Sequence, residues 1–472
     1  MPSATPRILG VMLALCACTS GVMDERCDDA EGCATASVGD GSSSTGDDAG
    51  TDQGGDTMPA ADASSSSGDE GPAPACIEDA DCEPPPPQCQ DETRSVLAGA
   101  GRCEDGACTF APTIETCLAG CDATLGACRH DVWLPLPELD APQGRREHTL
   151  VWSDGRAIVW GGLDAGGDPV GDGAWYDPAT DAWTALPLDG GPEPRAQHSA
   201  VTLGSRMIVF GGYDGGGTLA SGGSFDFDLQ AWSPIADAPA FDGARHGHAA
   251  VIVDDRMLLV GGRVEASVAG SIPNEYLIAI DAWVLPTVVG AYPYADHATV
   301  ATDVGLVAWG GEDNNGNPSK LGVMLDRDGW SAVTVQGAPT PRRRHAAVYT
   351  GDAMIVWGGI GDGLLATGGG RLDLARGSWS PTAALGAPPL RADHSAVWTG
   401  DAMLVFGGEA ADHVLDDGAR YDPIADSWEP IASVEPAQAR AGHRAVWADG
   451  QMIVWGGVGP DGEALGGLRY VP

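Results

Sequence analysis

One spacing recurs seven times in the sequence and constrains the fold more than any other feature. In each copy, a histidine is followed thirteen residues later by the first residue of a Gly-Gly pair. The histidines are His148, His198, His248, His297, His345, His394 and His443. The copies follow one another about every 49 residues. A period of this length indicates a repeat architecture in which each repeat is one supersecondary unit.

Each repeat contains four segments with the pattern of short β-strands. The first follows the histidine, the second ends at the Gly-Gly pair, the third ends near a tyrosine such as Tyr421, and the fourth contains a tryptophan such as Trp428. Turn-forming pairs such as Asp154-Gly155 join the first two segments, as in tight hairpins. We therefore predict an all-β fold.

The repeat resembles the kelch repeat, which builds β-propellers. The shared features are the Gly-Gly pair closing an apolar strand, the Tyr-Asp-Pro turn at Tyr176 and Tyr421, and a tryptophan six to seven residues after that tyrosine. The third repeat departs from this turn after Tyr276. The resemblance covers residues 131–472 and implies a seven-bladed kelch-type propeller.

The two ends of the repeat region complement each other. Trp133 matches a fourth strand with no repeat before it, and the last repeat ends at Pro472 after its third strand. We expect the N-terminal strand to pair with the C-terminal blade. Such pairing closes the propeller and removes an open sheet edge.

The charge of the chain excludes one class of partner. The formal net charge is -42 at pH 7, and Lys320 is the only lysine. Nucleic acids are bound through clusters of Lys and Arg that contact phosphates, and this composition does not supply them. All fifteen tryptophans lie between Trp133 and Trp455, so the large hydrophobic core belongs to the repeats.

The N-terminus has the pattern of an export signal, with Arg7 followed by an apolar run from Ile8 to Ala17. The run is too short to cross a bilayer as a helix. Leu15-Cys16-Ala17-Cys18 resembles the lipobox of bacterial lipoproteins, which implies a signal peptide at residues 1–17 and lipidation of Cys18. Thr19, where an aspartate would signal retention, implies transfer to the outer membrane. An ordinary cleaved signal peptide is the alternative.

Residues 18–75 are rich in Ser, Gly, Asp and Ala and contain almost no large apolar residue. Such a composition cannot bury enough surface to offset the conformational entropy lost on ordering. We expect a disordered acidic linker that holds the rest of the chain away from the membrane.

Ten cysteines remain after Cys16 and Cys18, and all of them precede the repeats. An even number in an exported chain favours disulfide bonds. The candidates are Cys27, Cys33, Cys76, Cys82, Cys89, Cys103, Cys108, Cys117, Cys121 and Cys128. Residues 76–130, the cysteine-rich segment, contain eight of them and are too short to fold on a hydrophobic core alone. We predict a small disulfide-rich module of open connectivity, with zinc binding as the competing interpretation.

Two positions near each histidine are nearly constant. Arginine stands three residues before it in six repeats, as Arg145, Arg195, Arg245, Arg342, Arg391 and Arg440. A binding interpretation would make the arginines and histidines a site for an anion or a metal. Because almost every repeat has the pair, we favour a structural role in which each arginine donates to a carboxylate or carbonyl group of its neighbour. Valine stands three residues after every histidine and is predicted to lie in the core between blades.

Four repeats have an aromatic residue one position after this valine, namely Trp152, Tyr349, Trp398 and Trp447. These rings could stack on a sugar or fill the space between sheets, and we favour the second role.

The residue just before each histidine varies. In kelch propellers that bind peptides, the matching position and the loops after the Gly-Gly pairs line the mouth of the central channel. The resemblance therefore implies these binding candidates: Glu147, Gln197, Asp296, Arg344, Asp393, Asp164, Asp214, Arg263, Glu312, Asn314, Asn315 and Glu409. Varied polar side chains on a rigid scaffold can carry specificity. Solvated loops without a ligand are the alternative.

Enzyme motifs are absent from the sequence. It contains neither the Gly-x-Ser-x-Gly nucleophile motif nor the His-Glu-x-x-His zinc motif. A copper site resembling that of galactose oxidase requires a tyrosine linked to a cysteine, and no cysteine follows Cys128. We predict no catalytic residue, no metal and no cofactor.

Two hypotheses of function follow. The first is a non-enzymatic, monomeric kelch propeller lipoprotein of the cell envelope that binds a protein or a glycan. The alternative is a secreted carbohydrate-acting hydrolase, epimerase or lyase that uses carboxylates at the mouth of the channel. Such an enzyme requires two carboxylates within about 10 Å of each other.

Overall fold

The computed structural model describes residues 79, 82, 84–91, 94–98, 101–104, 107–125, 127–239, 243–264, 273–284, 295–313 and 315–472. The predicted signal peptide, the predicted linker, and Cys18, Cys27, Cys33, Cys76 and Asn314 lie outside these residues. Pro72–Pro472 forms one compact unit. Among the described residues, no helix has the length and apolar character needed to cross a membrane.

Seven four-stranded antiparallel sheets form the repeat region, and we number them sheet 1 to sheet 7 in chain order. The first strands are Thr149–Ser153, Ser199–Leu203, Ala249–Val253, Ala298–Thr302, Ala346–Tyr349, Ser395–Trp398 and Arg444–Ala448. The second strands are Arg156–Trp160, Arg206–Phe210, Arg256–Val260, Gly305–Trp309, Ala353–Trp357, Met403–Phe406 and Gln451–Trp455.

The outer half of each sheet consists of the third and fourth strands. The third strands are Gly173–Asp177, Gly222–Asp226, Asn274–Leu277, Gly322–Asp326, Gly369–Asp373, Gly418–Asp422 and Gly467–Val471. The fourth strands are Ala182–Ala185, Ala231–Pro234, Ala282–Val284, Gly329–Ala332, Ser378–Pro381, Ser427–Ile431 and, in sheet 7, Val132–Pro135. A small hairpin pairs Ile360–Gly361 with Leu364–Leu365, and short 3₁₀ helices lie at Ile278–Ile280 and Pro436–Gln438.

The second strands are buried on both faces. Ile158, Val159 and Trp160 of sheet 1 are at most 1% exposed, although neighbouring residues of a strand point to opposite faces. A strand buried on both faces reads as a continuous apolar run, which explains sequences such as Ala-Ile-Val-Trp. Each sheet is therefore packed between two others.

The hydrophobic core consists of clusters between successive sheets. Ile158 and Trp160 of sheet 1 pack with Val209 of sheet 2, and equivalent clusters join each later sheet to the next. A further cluster joins Val159 of sheet 1 to Trp455 of sheet 7. The aromatic residues Trp152, Tyr349, Trp398 and Trp447 pack against these clusters, which confirms their predicted space-filling role.

A tyrosine–aspartate pair fixes the turn between the third and fourth strands. The hydroxyl of Tyr421 donates to the carboxylate of Asp426 at 2.6 Å, and Asp426 also accepts the backbone N–H of Ala383 at 2.8 Å. Asp426 has a positive φ of 48°, which aspartate tolerates better than most residues. Sheet 3 keeps the contact between Tyr276 and Asp281 at 2.7 Å although its sequence departs from the kelch turn.

The N-terminal strand Val132–Pro135 takes the place of a fourth strand in sheet 7. Trp133 pairs with Tyr470 as Trp428 pairs with Tyr421 in sheet 6. The Asp131 carboxylate accepts from the Tyr470 hydroxyl at 2.6 Å and from the Ala432 N–H at 2.7 Å. The expected pairing of the two ends of the repeat region is therefore present.

The cysteine-rich segment is β-stranded and cross-linked. Gln88–Asp91, Arg94–Ala98 and Pro112–Thr116 form a three-stranded sheet, and short hairpins pair Arg102–Glu104 with Ala107–Thr109 and Cys121–Asp122 with Ala127–Cys128. Disulfides join Cys82 to Cys108, Cys89 to Cys121 and Cys117 to Cys128, and Cys103 is also disulfide-bonded. The disulfide prediction is confirmed for these cysteines, and the zinc interpretation of Cys117 and Cys121 was wrong because both are oxidised.

The cysteine-rich segment contacts sheet 7 at one end. Leu118 lies against Gly450, in the turn between the first and second strands, and a ring nitrogen of His130 is 3.0 Å from the Pro472 carbonyl oxygen. These contacts lie at the end of the sheet opposite the Gly-Gly pair, because adjacent strands are antiparallel. We call the other end of each sheet, where the first strand begins and the second strand ends, the mouth end.

Candidate binding site

All seven residues that precede the repeat histidines adopt the left-handed backbone conformation. Their φ angles are 57° for Glu147, 53° for Gln197, 63° for Gly247, 55° for Asp296, 57° for Arg344, 52° for Asp393 and 67° for Gly442. This conformation is uncommon for residues other than glycine and is held only where surrounding contacts require it. The backbone is thus specified at these positions, whereas the side chain is free to vary.

Backbone hydrogen bonds connect these positions from sheet to sheet in two runs, Glu147 to Gly247 and Asp296 to Gly442. The N–H of Gln197 donates to the Glu147 carbonyl at 3.0 Å, and that of Gly247 donates to the Gln197 carbonyl at 2.8 Å. The same bond joins Arg344 to Asp296, Asp393 to Arg344 and Gly442 to Asp393. Five of the side chains predicted to line the mouth therefore project from these two hydrogen-bonded runs.

The arginines before the histidines hold these runs in place and are buried, at 2% exposure or less. The Arg391 guanidinium donates to the Gly407 carbonyl at 2.9 Å, the Asp417 carbonyl at 3.0 Å and the Asp417 carboxylate at 2.8 Å, all in its own sheet. The backbone carbonyl of Arg391 accepts the N–H of Gly359 in the preceding sheet at 2.8 Å. These arginines therefore have a structural role, but the predicted donation from the side chain to a neighbouring sheet was wrong, because the guanidinium bonds within its own sheet and the backbone carbonyl makes the bond to the preceding one.

The histidines are buried and packed against the preceding sheet. A side chain on Gly161 would meet the His198 ring at 2.5 Å, so the first glycine of each pair makes room for the next histidine. Burial lowers the pKa of His198 to about 3 and that of His394 to about 3. Neutral rings packed inside an interface do not supply the cations of the anion site considered from the sequence. Among the described residues, no group of three or more His, Cys, Asp or Glu side chains could hold a metal ion.

A second row of mouth residues directly follows the Gly-Gly pairs. Each forms an antiparallel bridge with the residue two positions before the histidine, as Glu312 does with Ala295 and Glu409 with Ala392. The residues of this row are Leu163, Tyr213, Arg263, Glu312, Ile360, Glu409 and Val458. The second row is therefore bridged to the residues that directly precede the first row, so the two rows of variable residues lie side by side at the mouth end.

Sheets 3 to 5 carry a four-residue ion-pair network at the mouth end. The Arg263 guanidinium donates to Asp296 at 3.0 Å and also to Glu312, which is buried. Arg343 donates to the other oxygen of Glu312. Four predicted or neighbouring mouth residues are thus brought together, and their charges neutralise one another.

Sheets 5 and 6 carry a second network. One nitrogen of Arg344 contacts both the Asp393 carboxylate and the Glu409 carboxylate, the latter at 2.7 Å. The sequence identified all three residues but not their pairing, because the separations of 49 and 65 residues become contacts only through the repeat geometry.

Sheets 1 to 3 carry a chain of hydrogen-bonded polar side chains at the mouth end instead of an ion-pair network. The Gln197 amide donates to the Glu147 carboxylate at 2.9 Å, and its oxygen is 2.5 Å from a ring nitrogen of His246. Burial and the charge of Arg263 lower the pKa of His246, which therefore donates to Gln197 as a neutral ring. Tyr213, 38% exposed, lies beside His246 with ring centroids 6.1 Å apart.

The remaining candidates stabilise their own loops. One carboxylate oxygen of Asp164 accepts the N–H groups of Gly166 and Asp168, and that of Asp214 accepts those of Gly216 and Gly217. These backbone bonds lower the pKa of Asp214. Asn315 donates its N–H to Asp313 in an equivalent turn. Asp164 also lines a groove of about 660 Å³ between the loops of sheets 1 and 2.

Sequence reasoning missed Tyr213, His246 and Arg343. The signal that could have found them is the bridge between the residue after Gly-Gly and the residue two before the histidine. That bridge brings together residues that are far apart in the sequence, so their contact cannot be seen from the sequence directly.

Two pairs of carboxylates at the mouth each share one arginine. Asp296 and Glu312 approach each other because they share Arg263, and Asp393 and Glu409 share Arg344. These groups can exchange ion pairs with a partner.

Comparison with known proteins agrees with this architecture. The family model described as the KLHDC2/KLHL20/DRC7 Kelch-repeats domain matches residues 128–287 and 296–468. Kelch domain-containing protein 3 from Homo sapiens is 29% identical over 131 residues, which cover 26% of this chain and 34% of that protein. The same protein from Rattus norvegicus and from Mus musculus matches with the same identity and coverage.

The match thus spans about a third of the length of these relatives, whereas the family model spans more than half of the present chain. The four-stranded antiparallel sheets and the Gly-Gly, tyrosine and tryptophan positions are those of a kelch β-propeller. The chain belongs to the KLHDC2/KLHL20/DRC7 Kelch-repeats domain family.

Proposed function

We propose that this protein is an exported, lipid-anchored kelch β-propeller that binds a partner protein at the mouth end of its sheets. The observation that carries the proposal is the pair of residue rows there, whose backbone is the same in every sheet and whose side chains differ. A rigid frame with variable side chains is suited to specific recognition. The protein would act as a monomeric binding module.

We further infer that the seven sheets are the blades of one closed propeller. Support comes from the strand Val132–Pro135 in sheet 7 and from the core cluster between sheets 1 and 7. The Gly457 N–H of sheet 7 donates to the Arg145 carbonyl of sheet 1 at 2.9 Å. The same bond joins other neighbouring sheets, for example Gly408 of sheet 6 to Arg440 of sheet 7.

A protein partner is favoured over a glycan. Sugar sites commonly offer an exposed aromatic face, and the four aromatic residues considered from the sequence are half-buried and packed against the core. The mouth instead offers paired arginines and carboxylates and the exposed Tyr213, which suit the charged and aromatic contacts of protein interfaces. The carbohydrate-enzyme alternative is not favoured, because four of its candidate carboxylates are held by arginines.

Export is supported by the disulfides. Disulfide bonds form and persist outside the reducing cytosol, and seven described cysteines are bonded. The lipobox ending at Cys18 supplies the proposed anchor to the bacterial envelope, with the outer membrane as the destination. The cysteine-rich segment contacts sheet 7 at the end opposite the mouth, so an anchor on that side would leave the mouth accessible.

The binding proposal is tested by capturing partners from envelope extract with three forms of the protein. The first is unchanged, and the second carries Glu147→Ala and Tyr213→Ala at the mouth. The third carries Asp401→Ala and Arg420→Ala, which removes an exposed ion pair near the opposite end. We expect a protein captured by the first and third forms and lost from the second. A partner that is retained by the second form and lost from the third would place binding elsewhere.

The anchoring proposal is tested by Cys18→Ala. We expect the unchanged protein in the membrane fraction and the variant in the soluble envelope fraction. Membrane association of both forms, or release of both, would contradict lipidation at Cys18. Non-reducing electrophoresis of the same fractions checks that both forms passed through an oxidising compartment.

A further inference from the structure

Arg444 stands out among the residues that directly follow the repeat histidines. The other six are small: Thr149, Ser199, Ala249, Ala298, Ala346 and Ser395. Three of these side chains face the next sheet, because Thr149, Ser199 and Ser395 reach the rings of His198, His248 and His443 at 2.8 to 3.0 Å. Arg444 replaces a small residue at this innermost position.

The guanidinium of Arg444 is fixed by one bond. Its Nε donates to the His148 carbonyl of sheet 1 at 3.2 Å. The side chain is exposed to solvent, and its charge acts on His443 of sheet 7, His148 of sheet 1 and His198 of sheet 2. A group that is both solvent-accessible and surrounded by three sheets lies towards their common axis.

The charge of Arg444 is not neutralised by an ion pair to any described residue. Glu147 is the carboxylate whose charge reaches it, but Glu147 accepts from Gln197 and does not pair with Arg444. The surrounding protein lowers the pKa of Arg444, so its charge is held at a cost that an anion would offset. Among the described residues, the bond from Nε to the His148 carbonyl is the one hydrogen bond of the guanidinium, and its terminal nitrogens make none.

Space is available above Arg444 as well. Gly442 precedes it by two residues at the mouth, and no atom lies within 4 Å of the position that a side chain there would occupy. The neighbouring charged side chains of sheets 3 to 6 are paired with one another. Among the described mouth residues, the sector formed by sheets 7 and 1 therefore presents a cation, Arg444, that makes no ion pair and is exposed to solvent.

We propose that Arg444 forms a binding site for a small oxyanion on the axis of the propeller, with the anion held by the two terminal guanidinium nitrogens. The fork of a guanidinium matches the oxygen spacing of phosphate and carboxylate groups. The inference rests on the proposed closed arrangement of the blades and does not require a protein partner.

Isothermal titration of the purified protein with inorganic phosphate and, separately, with acetate tests the site in a chloride-free buffer. We expect saturable binding of one or both anions, because the shared chemistry is an oxyanion. Arg444→Ser should weaken binding about tenfold or more, which corresponds to the loss of about 1.4 kcal/mol of charge-assisted bonding. Arg420→Ser, which removes an exposed arginine paired with Asp401, should leave the affinity unchanged.

The variant Arg444→Ser is expected to fold, because serine occupies the same position in sheets 2 and 6. Glu147→Gln provides a second check, since removal of the one carboxylate that acts on Arg444 should tighten anion binding. Equal affinity of the unchanged protein and Arg444→Ser would overturn the proposal. Absence of binding to both the unchanged protein and Glu147→Gln would overturn it equally, whether or not a partner protein binds at the mouth.

Discussion

At the scale of single residues, the repeat requires glycine where a side chain would overlap a neighbouring residue. Gly161 has a φ of 63°, and a side chain on it would meet the His198 ring at 2.5 Å and the Arg195 carbonyl at 2.9 Å. Gly155 has a similar φ of 71° but lies in a hairpin turn with no atom within 4 Å of that point. A side chain at Gly161 would meet both backbone strain and steric overlap, whereas a side chain at Gly155 would meet backbone strain alone.

We expect Gly161→Ala to lower the free energy of unfolding by about 2–4 kcal/mol, because it adds steric overlap to backbone strain. Gly155→Ala should cost about 1 kcal/mol, because only the strain is present. Urea unfolding followed by tryptophan fluorescence measures both, since every tryptophan lies in the repeat region. Equal losses for the two variants would show that the histidine contact does not matter.

At the scale of the structural element, the interface between two sheets depends on a small residue after each histidine. Ser199 supplies a hydroxyl 2.8 Å from Nε2 of His248, whereas Ala346 supplies none to His394. A buried polar atom that loses its partner destabilises the fold, and one that gains a partner stabilises it. The sequence variation at this position is therefore a variation in interface stability.

We expect Ser199→Ala to lower the free energy of unfolding by about 1–2 kcal/mol and Ala346→Ser to raise it by about 1 kcal/mol. The pair is matched, because one variant removes the hydroxyl that the other adds at the equivalent position. Denaturant midpoints at pH 7 give the comparison. A loss of stability in both variants would mean that packing volume, rather than the hydroxyl, governs this interface.

Sequence periodicity predicted the elements well because each strand repeats the same local pattern. The strands, the positions of Trp133 and Tyr470, and the buried aromatic residues all follow from that pattern. The turns between the first and second strands were predicted less well. In sheets 5 and 6, four residues lie between the last paired residues of the first and second strands, Tyr349 and Met354 in one and Trp398 and Met403 in the other. Thr350 and Thr399 close these turns with backbone bonds to Ala353 and Ala402. Such local chemistry does not change the repeat spacing.

The candidate site was predicted in part for the same reason. The position before each histidine was recognised as variable, but its left-handed conformation was not, since Glu147 and Arg344 do not favour positive φ. The ion-pair networks were also not foreseen. They depend on which side chains of neighbouring sheets reach one another, and Arg344 reaches Glu409 across 65 residues of sequence.

At the scale of the whole molecule, the buried histidines make stability depend on pH. The pKa of His198 and that of His394 are lowered to about 3, whereas an unfolded histidine titrates near 6.5. Below pH 6.5 the unfolded chain therefore binds protons that the folded chain does not. The stabilisation is complete above pH 6.5 and is lost progressively as the pH falls towards 3.

We expect the free energy of unfolding to fall between pH 6 and pH 4 by up to about 1.4 kcal/mol per pH unit for each such histidine. Several repeats contribute, because burial also lowers the pKa of His148, His248, His345 and His443. Urea unfolding at a series of pH values measures the slope. His394→Gln should remove the contribution of one histidine from the slope. A free energy of unfolding that stays constant from pH 7 to pH 5 would contradict the buried, neutral state of the histidines.

Closure of the molecule can be tested by comparing the N-terminal strand with an internal one. Asp131 and Asp426 make the same two contacts, to a tyrosine hydroxyl at 2.6 Å and to a backbone N–H at 2.7 to 2.8 Å, and both have positive φ. Asp426 lies inside the chain of repeats, whereas Asp131 precedes all of them. If the N-terminal strand completes a closed propeller, the two aspartates contribute to the same cooperative unit.

We therefore expect Asp131→Ala and Asp426→Ala to lower the free energy of unfolding by similar amounts, about 1–3 kcal/mol each, in a single transition. The physical reason is that opening sheet 7 would expose its edge and the cluster that joins it to sheet 1. Tryptophan fluorescence during urea unfolding measures the transition. A full effect for Asp426→Ala with none for Asp131→Ala would mean that the N-terminal strand can detach while the sheets stay folded.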